Sequence, residues 1–242
     1  MNDYFIEPEW LAAVRGTLFY YPAAMHDCLE PITVFQEQID TFWFCDKNYA
    51  AGLSLPPALP SESGFHLIKS KKEGAVHARL ERRLDSSGRT YAFLEPSRLK
   101  EIYERQDGRQ LLIVRRRGFG QIAITREFGE KSLGVFMHRR DSMGEAGSGV
   151  FFLANSNARY EPCGRLFEKL SKILSEKSLV ISDGSNSRIP WVSKFHNSDK
   201  SGDDAYLHHR GRQYRYCGFQ WVCVGWLSNK YGPTLVWGLT RN

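Results

Sequence analysis

Acidic side chains stand in this sequence at points where apolar runs end, and acid–base chemistry is the first function that they suggest. In an open sheet of parallel strands the carboxyl ends share one crevice, so acids far apart in the chain meet there. One carboxyl group then protonates a leaving group while another activates water. Taken singly, an acid after a strand more often forms a turn or caps a helix. The predicted catalytic residues are Asp27, Asp141, Glu145 and Asp183.

The segment after Leu133–His138 (LGVFMH) is polar and rich in glycine, and we predict that it contacts the substrate. Its backbone donors and acids are suited to position water for hydrolysis of a glycosidic bond. They are equally suited to hold the polar edge of an extruded base. We expect the segment after residues 178–182 (SLVIS) to face it across the crevice. The predicted substrate-contacting residues of both segments are Ser142, Gly144, Ser148, Ser185 and Asn186.

Signatures of other catalytic chemistries are missing from the sequence. Neither H-x-x-x-H nor H-E-x-x-H occurs, and G-x-S-x-G is also absent, so we predict neither a metal site nor a serine nucleophile. The 5 cysteines are dispersed and include no C-x-x-C pair. We therefore expect reduced thiols, mostly in the core, rather than a disulfide framework.

Positive charge is concentrated in one part of the chain, whose net charge is +6. Residues 69–127 contain 15 Lys and Arg against 8 Asp and Glu, with aromatic residues between them. Cations beside stackable rings suit a phosphate backbone and its bases, so we predict a nucleic-acid partner, DNA in preference to RNA. The simpler interpretation is a β-ribbon with a solvated basic face. The predicted contacts here and in a second basic segment are Lys71, Lys72, Arg82, Arg83, Arg115, Arg116, Arg117, His209, Arg210 and Arg212.

Length and composition favour one enzyme-sized domain. The chain has 242 residues, of which 42% are hydrophobic and 13% aromatic, enough to bury a sizeable core. No apolar run approaches the roughly 20 residues of a membrane-spanning helix, so we expect no membrane partner. Because the first ten residues lack the pattern of a secretory signal, we expect a cytoplasmic protein.

Apolar runs and turn signals predict an alternation of strands and helices. Before the basic segment, strands are expected at Thr17–Tyr21 and 41–45, with a helix over 23–38 between them. After it, strands are expected at Leu133–His138 and 178–182, with an amphipathic helix around Leu166 and Leu170. Strand, helix, strand alternation implies parallel pairing. The last two strands, 220–227 and 234–239, follow each other closely enough to be antiparallel.

The basic region between these elements predicts a β-rich insertion at residues 64–128 within a single α/β domain that covers residues 1–242. Its predicted strands are 77–83, Thr90–Leu94, 111–116 and 121–125, with a helix over 97–105. Residues 197–213 are expected to be either a second loop that contacts nucleic acid or a disordered crossover before the last two strands.

This arrangement resembles the Rossmann-like class I methyltransferases that use S-adenosylmethionine, over residues 16–46 and 132–241. Asp46 resembles the family's ribose-binding acid, LSEKSLVISDG its helix–turn–strand stretch, and the last two strands its closing hairpin. The first loop reads YPAAMHD, with Ala23 and Ala24 where the family usually has glycines. The resemblance implies a mostly parallel α/β sheet with a C-terminal antiparallel hairpin, and S-adenosylmethionine bound near Ala23, Ala24 and Asp46.

Three functions remain open on this evidence. The first is an enzyme that transfers a methyl group to a nucleic-acid base. The second is an N-glycosidic hydrolase of DNA-glycosylase type, acting on modified or foreign DNA through the acids of the loops. The third is a nucleic-acid-binding module without catalysis.

Overall fold

The computed structural model describes residues 4–14, 17–22, 24, 28–46, 49, 55–74, 80–84, 90–94, 98–117, 128–139, 166–185, 187, 189–227 and 232–242. Its strands are β1 (Tyr4–Ile6), β2 (Thr17–Tyr21), β3 (Ile39–Asp46), β4 (Phe65–Glu73), β5 (Leu80–Leu84), β6 (Thr90–Leu94), β7 (Arg98–Arg105), β8 (Gln110–Arg117), β9 (Leu133–His138), β10 (Leu174–Ser182), β11 (Gln213–Tyr216), β12 (Phe219–Leu227) and β13 (Leu235–Arg241). Its helices are α1 (Pro8–Ala13), α2 (Leu29–Phe35), α3 (Leu166–Ile173), α4 (Pro190–Ser193) and α5 (Gly202–His209), and a 3-10 turn covers Ser61–Ser63.

Within these ranges, one mixed sheet of 11 strands forms the centre of the fold. Its order is β1-β12-β13-β10-β9-β2-β3-β8-β7-β4, and β11 pairs with β12. Five neighbouring strands, β10, β9, β2, β3 and β8, are parallel to one another. The adjoining strands β13 and β7 run antiparallel to them. A parallel centre is thus flanked by antiparallel ladders, while β5 and β6 form a separate pair.

The predicted Rossmann-like α/β fold with a mostly parallel sheet is therefore wrong. Of the residues that the structure describes, strands contain 48% and helices 20%, and the sheet is mixed. The physical reason lies in the basic region, which the sequence analysis treats as separate from the sheet. Its strand β8 pairs with β3 inside the parallel centre, and β7 and β4 continue the same sheet outward.

A period of two residues explains the wrong helix prediction at residues 97–105. This segment forms β7, in which Leu99, Glu101 and Tyr103 are buried and the residues between them are more exposed. Alternating burial is the signature of a strand with one face on the core. The mixed charged and apolar composition of RLKEIYER hides that alternation from a search for apolar runs.

Several other expectations are confirmed, because their apolar runs are long and unbroken. The predicted strands at Thr17–Tyr21 and Leu133–His138 are β2 and β9, and they are parallel neighbours. The last two strands, β12 and β13, are antiparallel. The helix expected over 23–38 is confirmed only at Leu29–Phe35. The strand predicted at 121–125 lies outside the described residues.

Helices cover both faces of the parallel centre. On one face, Phe19, Phe42 and Phe44 pack with Phe35 of α2. On the other, Phe136 and Trp237 belong to a cluster that includes residues of α3, α4 and α5. Because both faces of the parallel strands are buried, polar side chains on these strands are confined largely to the ends.

A buried ion pair holds the connector before β4, which contains Pro56 and Ala58, against the sheet. Arg115 on β8 binds Glu101 on β7, with 2.7 Å between Arg115 Nη2 and Glu101 Oε2, and only 6% and 2% of the two side chains are exposed. Arg115 also donates to the Pro56 carbonyl at 2.6 Å. The hydroxyl of Tyr103 donates to Glu101 and accepts from the backbone N–H of Ala58. Arg115 therefore has a structural role, with its Nε and Nη2 atoms bound to these partners.

We predict that Glu101→Gln destabilises the protein by about 3–5 kcal/mol, because it leaves the guanidinium of Arg115 buried without its counter-charge. Urea denaturation of the variant and the wild type measures this free energy of unfolding. The double variant Glu101→Leu, Arg115→Met removes both charges and is expected to recover most of the loss.

The matched control is Arg105→Ala. Arg105 is also on β7, and its substitution breaks exposed ion pairs with Glu37 and Asp107. Its expected cost is below about 1 kcal/mol. An equal cost for the buried and the exposed variants would contradict the role assigned to Arg115.

Candidate ligand-binding edge

The five parallel strands end together at one edge of the sheet, which we call the carboxyl edge. Its strand ends are Tyr21 of β2, Asp46 of β3, Arg117 of β8, His138 of β9 and Ser182 of β10. From β2 the chain continues to β3 on one side, whereas β9 and β10 lie on the other side. Ligands of open parallel sheets bind outside the carboxyl ends at such a reversal of strand order. The candidate site is therefore the carboxyl edge beside β2.

An acid and a guanidinium lie side by side on one half of this edge. Asp46 is only 2% exposed, and its neighbour across the parallel ladder is Arg117. The Nε atom of Arg117 is buried and has no hydrogen-bond partner in the part of the chain that the structure describes. Beneath them, burial and the nearby Cys28 and Asp46 raise the pKa of Tyr49 well above its ordinary value. This half of the edge thus places a buried carboxyl group beside a guanidinium Nε that lacks an acceptor among the described residues.

The other half of the edge holds a buried network of three side chains. Ser185 Oγ donates to Asp183 Oδ1 at 2.6 Å, and the Ser185 backbone N–H donates to the same oxygen at 2.9 Å. The Nε2 atom of His138 lies 2.5 Å from the Ser185 carbonyl and 3.1 Å from Ser185 Oγ. Because a carbonyl only accepts, Nε2 carries the proton of the ring. Ser185 is thus neither deprotonated by His138 nor activated as a nucleophile.

The same network makes the turn after β10 rigid. Gly184 has φ of +78°, and a Cβ atom there would lie 2.6 Å from the Val192 carbonyl of α4. His196 Nδ1 also lies 3.2 Å from the Asp183 carbonyl oxygen. Glycine is required both by the left-handed backbone and by this close approach. The turn and α4 therefore form one fixed wall of the carboxyl edge.

Two further groups at the carboxyl edge form hydrogen bonds within the protein. Arg139, which follows β9, is fully buried and donates to Glu30 of α2 and to the Leu227 carbonyl. Ala24, after β2, is 1% exposed, and its N–H donates to the Cys45 carbonyl at 3.1 Å. The loop after β2 is thus folded back onto β3 at this residue. Neither His138 nor Arg139 is among the predicted site residues. Their signal in the sequence is a polar pair that ends the apolar run LGVFM.

The predicted site residues fall into three groups. The structure places Asp183, Ser185, Asp46 and Ala24 at the carboxyl edge. Eight lie outside the described residues: Ala23, Asp27, Asp141, Ser142, Gly144, Glu145, Ser148 and Asn186. The third group comprises the predicted nucleic-acid contacts, which are spread over several strands and α5.

The predicted nucleic-acid contacts differ in accessibility. Lys71 and Lys72 lie on β4, where seven consecutive residues are exposed. Arg210 and Arg212 are exposed after α5, and the strand β5 contains Arg82 and Arg83. Three others are interior, with exposed fractions of 5%, 1% and 1%, and a polyanion on the surface does not reach them: Arg115, Arg116 and His209.

The donor set at the edge fits S-adenosylmethionine, the cofactor that the sequence resemblance implies. An acid at the end of the strand next to the first strand is placed to accept from a ribose diol, and Asp46 of β3 stands there. A guanidinium N–H is the preferred partner of a carboxylate, and the buried Nε of Arg117 lacks an acceptor among the described residues. Ala24, which stands where the family usually has a glycine, donates its N–H to the Cys45 carbonyl and is buried, so it adds no donor to this set.

Comparisons with known proteins add no family to this description. No family model matches the chain, and neither a curated protein nor a solved structure is significantly similar to it. Among the described residues, no group of three or more His, Cys, Asp or Glu side chains is arranged to hold a metal ion. The same residues include no helix long and apolar enough to cross a membrane.

His209 is buried against aromatic rings and titrates abnormally. Burial, with smaller contributions from His208, Lys194 and Arg212, lowers its pKa to about 4 from a usual 6.5. Its Nδ1 atom lies 2.8 Å from the Tyr214 hydroxyl. The folded protein thus holds this imidazole neutral at pH values where the unfolded chain protonates it.

We predict that the free energy of unfolding falls as the pH drops from about 6.5 to about 4, because the unfolded chain then binds a proton that the folded protein excludes. At about pH 4, the loss in the free energy of unfolding that is due to His209 is on the order of 3 kcal/mol. Urea denaturation at a series of pH values measures it. His209→Gln is expected to flatten the profile. Identical profiles for wild type and His209→Gln would contradict the assignment.

Proposed function

We propose that the protein is an enzyme that transfers a methyl group from S-adenosylmethionine to a base of nucleic acid, and that the reaction takes place at the carboxyl edge. The observation that carries the proposal is the juxtaposition of Asp46 and Arg117 beside the reversal of strand order at β2. A cytoplasmic location, where cofactor and nucleic acid are both available, is part of the proposal.

Five described residues at the carboxyl edge have a part in the proposal. Asp46 accepts hydrogen bonds from the ribose diol, and Arg117 donates to the carboxylate of the cofactor's amino-acid end. When bound, the cofactor supplies an electrophilic methyl group. The network of His138, Asp183 and Ser185 fixes the opposite wall, so that an acceptor base is held in one orientation.

The position of the β4 lysines relative to the edge supports nucleic acid as the substrate. Lys72 is in register with Leu99 of β7, and Leu99 with Arg115 of β8. At about 4.8 Å per strand, the lysines lie on the order of 10 Å from β8, at the level of its carboxyl end. A phosphate backbone on β4 would therefore run beside Arg117. We propose DNA rather than RNA as this nucleic acid.

The exposed lysines of β4 are available to phosphates. Lys71 pairs with Glu73 at 3.4 Å, but 64% of its side chain is exposed. Such an exposed pair contributes little and exchanges readily for a stronger anion. Release of counterions from nucleic acid then supplies most of the affinity, which makes it dependent on salt.

We predict that Asp46→Asn weakens the binding of S-adenosylmethionine by about 10- to 100-fold, because the negative charge and one of the two acceptor oxygens that face the ribose diol are lost. Isothermal titration calorimetry measures the Kd. The matched control is Asp40→Asn at the other end of the same strand, where Asp40 pairs with Arg109. Its Kd is expected to equal that of the wild type.

A wild-type protein that binds neither the cofactor nor its demethylated product would overturn the methyl-transfer proposal. Abasic sites formed in modified DNA without any cofactor would instead indicate the N-glycosidic hydrolase. Nucleic-acid binding without either reaction would indicate a binding module.

We predict that Lys71→Ser, Lys72→Ser reduces duplex DNA affinity and lowers the slope of log K against log salt by about 1.8, the value for two phosphate contacts. Fluorescence anisotropy from 50 to 200 mM salt measures the slope. The control, Lys172→Ser, Lys200→Ser, removes two exposed lysines far from β4 in sequence. Equal slopes for the two double variants would exclude β4 as the contact surface.

A further inference from the structure

The outermost strand β4 is uncovered on both of its faces. Its residues 66–72 are all exposed, whereas a strand that lies on a core alternates between buried and exposed residues. Among the described strands, β4 is the last at one end of the sheet and pairs with β7 alone. Residues 66–72 therefore project from the sheet as a ridge that is one strand deep, which we call the β4 ridge.

The strand register divides the cations of the β4 ridge between its two faces. Lys72 is in register with the buried Leu99 of β7, and Lys71 with the partly exposed Lys100. Neighbouring residues of a strand point to opposite faces, so the side chains of Lys71 and Lys72 do as well. Lys69, two residues before Lys71, shares its face. The ridge thus presents two lysines on one face and one lysine on the other.

Acids neutralise only part of this charge. Glu73 is the one acid of β4, and it pairs with Lys71 at 3.4 Å and with Lys100 at 2.9 Å. Within the described ranges, neither Lys69 nor Lys72 forms an ion pair with an acid. An exposed and unneutralised lysine thus lies on each face. The β4 ridge is therefore complementary to a partner that carries negative charge on two opposite walls.

The dimensions of the β4 ridge match the major groove of B-form DNA. Packed sheets lie about 10 Å apart, so a strand with the side chains of both faces is about 10 Å thick. The major groove is about 12 Å wide between its two phosphate backbones, whereas the minor groove is about 6 Å wide. The ridge is about 4.8 Å deep, and the major groove is about 8.5 Å deep. The ridge therefore fits the major groove and is too thick for the minor groove.

The outward edge of the β4 ridge carries groups that suit the floor of this groove. Backbone N–H and C=O groups on the free side of an edge strand are unpaired, and base pairs present both acceptors and donors in the major groove. Leu67 and Ile68 are 42% and 51% exposed. The methyl group of thymine lies in the same groove and accepts apolar contacts. These contacts favour entry of the ridge into the groove over a position across the phosphate backbones.

We infer that the β4 ridge enters the major groove of double-stranded DNA edge first, with Lys69 and Lys71 directed to one phosphate backbone and Lys72 to the other. The inference rests on the nucleic-acid partner of the proposed function and names its form, a B-form duplex. The carboxyl end of β4 lies level with that of β8, so the duplex is held beside the carboxyl edge. Double-stranded RNA is disfavoured because its major groove is deep and narrow.

Methylation by dimethyl sulfate reports which groove the protein occupies, because guanine N7 lies in the major groove and adenine N3 in the minor groove. With a short duplex of mixed sequence and no cofactor, the wild type is expected to protect guanine N7 and to leave adenine N3 reactive. Protection of adenine N3 alone, binding without protection of guanine N7, or no binding of the duplex would overturn the inference.

Single variants on opposite faces separate insertion into the groove from contact on one face. Lys69→Ser and Lys72→Ser are each expected to lower the slope of log K against log salt by about 0.9, the value for one phosphate contact. Fluorescence anisotropy measures the slopes, and circular dichroism confirms that each variant is folded. The control, Lys200→Ser, removes an exposed lysine between α4 and α5 and is expected to keep the wild-type slope. A change in only one of the two β4 variants would contradict insertion, because the DNA would then lie on a single face.

An RNA duplex of the same sequence is expected to bind about tenfold more weakly than the DNA duplex at equal salt, because its major groove does not admit the ridge. Equal affinity for the two duplexes would count against the inference. Methyl transfer is assayed separately, with S-adenosylmethionine. Protection of guanine N7 supports the inference whether or not methyl transfer occurs, and methyl transfer without that protection supports the proposed function alone.

Discussion

The fold depends on one constraint, which is that five adjacent parallel strands must be covered on both faces. Backbone hydrogen bonds hold the strands together, but their side chains are buried only when helices pack above and below. Phe19 and Phe44 fill one face, and Phe136 and Trp237 the other. Polar groups are then displaced largely to the strand ends, so the carboxyl edge collects Asp46, Arg117, His138 and the turn at Asp183. The charged groups of the site therefore lie where the apolar core ends.

Buried arginines show that charge in this chain serves the fold as well as a ligand. Arg115 joins β8 to β7 through Glu101, and Arg139 joins the end of β9 to α2 through Glu30. Removing either partner from such a pair is costly, because the remaining charge stays in a medium of low polarity. A count of positive charges along the sequence includes these interior groups. The surface that faces a polyanion is accordingly smaller than the composition of residues 69–127 indicates.

A strand is predictable from the sequence where burial produces a continuous apolar run. TLFYY and LGVFMH are such runs, and they form β2 and β9. A strand that carries charge on one face, such as β7, is not predictable in this way, because RLKEIYER alternates buried and exposed residues without an apolar run. Pairing is harder still: nothing local in QLLIVRRR indicates that β8 lies next to β3, some 70 residues earlier in the chain. The mixed sheet follows from that long-range contact.

The candidate site was predictable to a similar degree, for related reasons. Asp46 and Asp183 are found from the sequence because an acid directly follows an apolar strand, and parallel strands bring their ends together. The directions of the hydrogen bonds at the site cannot be predicted from the sequence. Whether Ser185 is a nucleophile depends on the direction of its hydrogen bond, and its hydroxyl donates to Asp183 rather than to His138. A serine whose hydroxyl donates to a carboxylate, within a turn fixed by Gly184, is not activated as a nucleophile. The geometry therefore gives Ser185 a positioning role, which is what the proposed transfer between two bound partners requires of this wall.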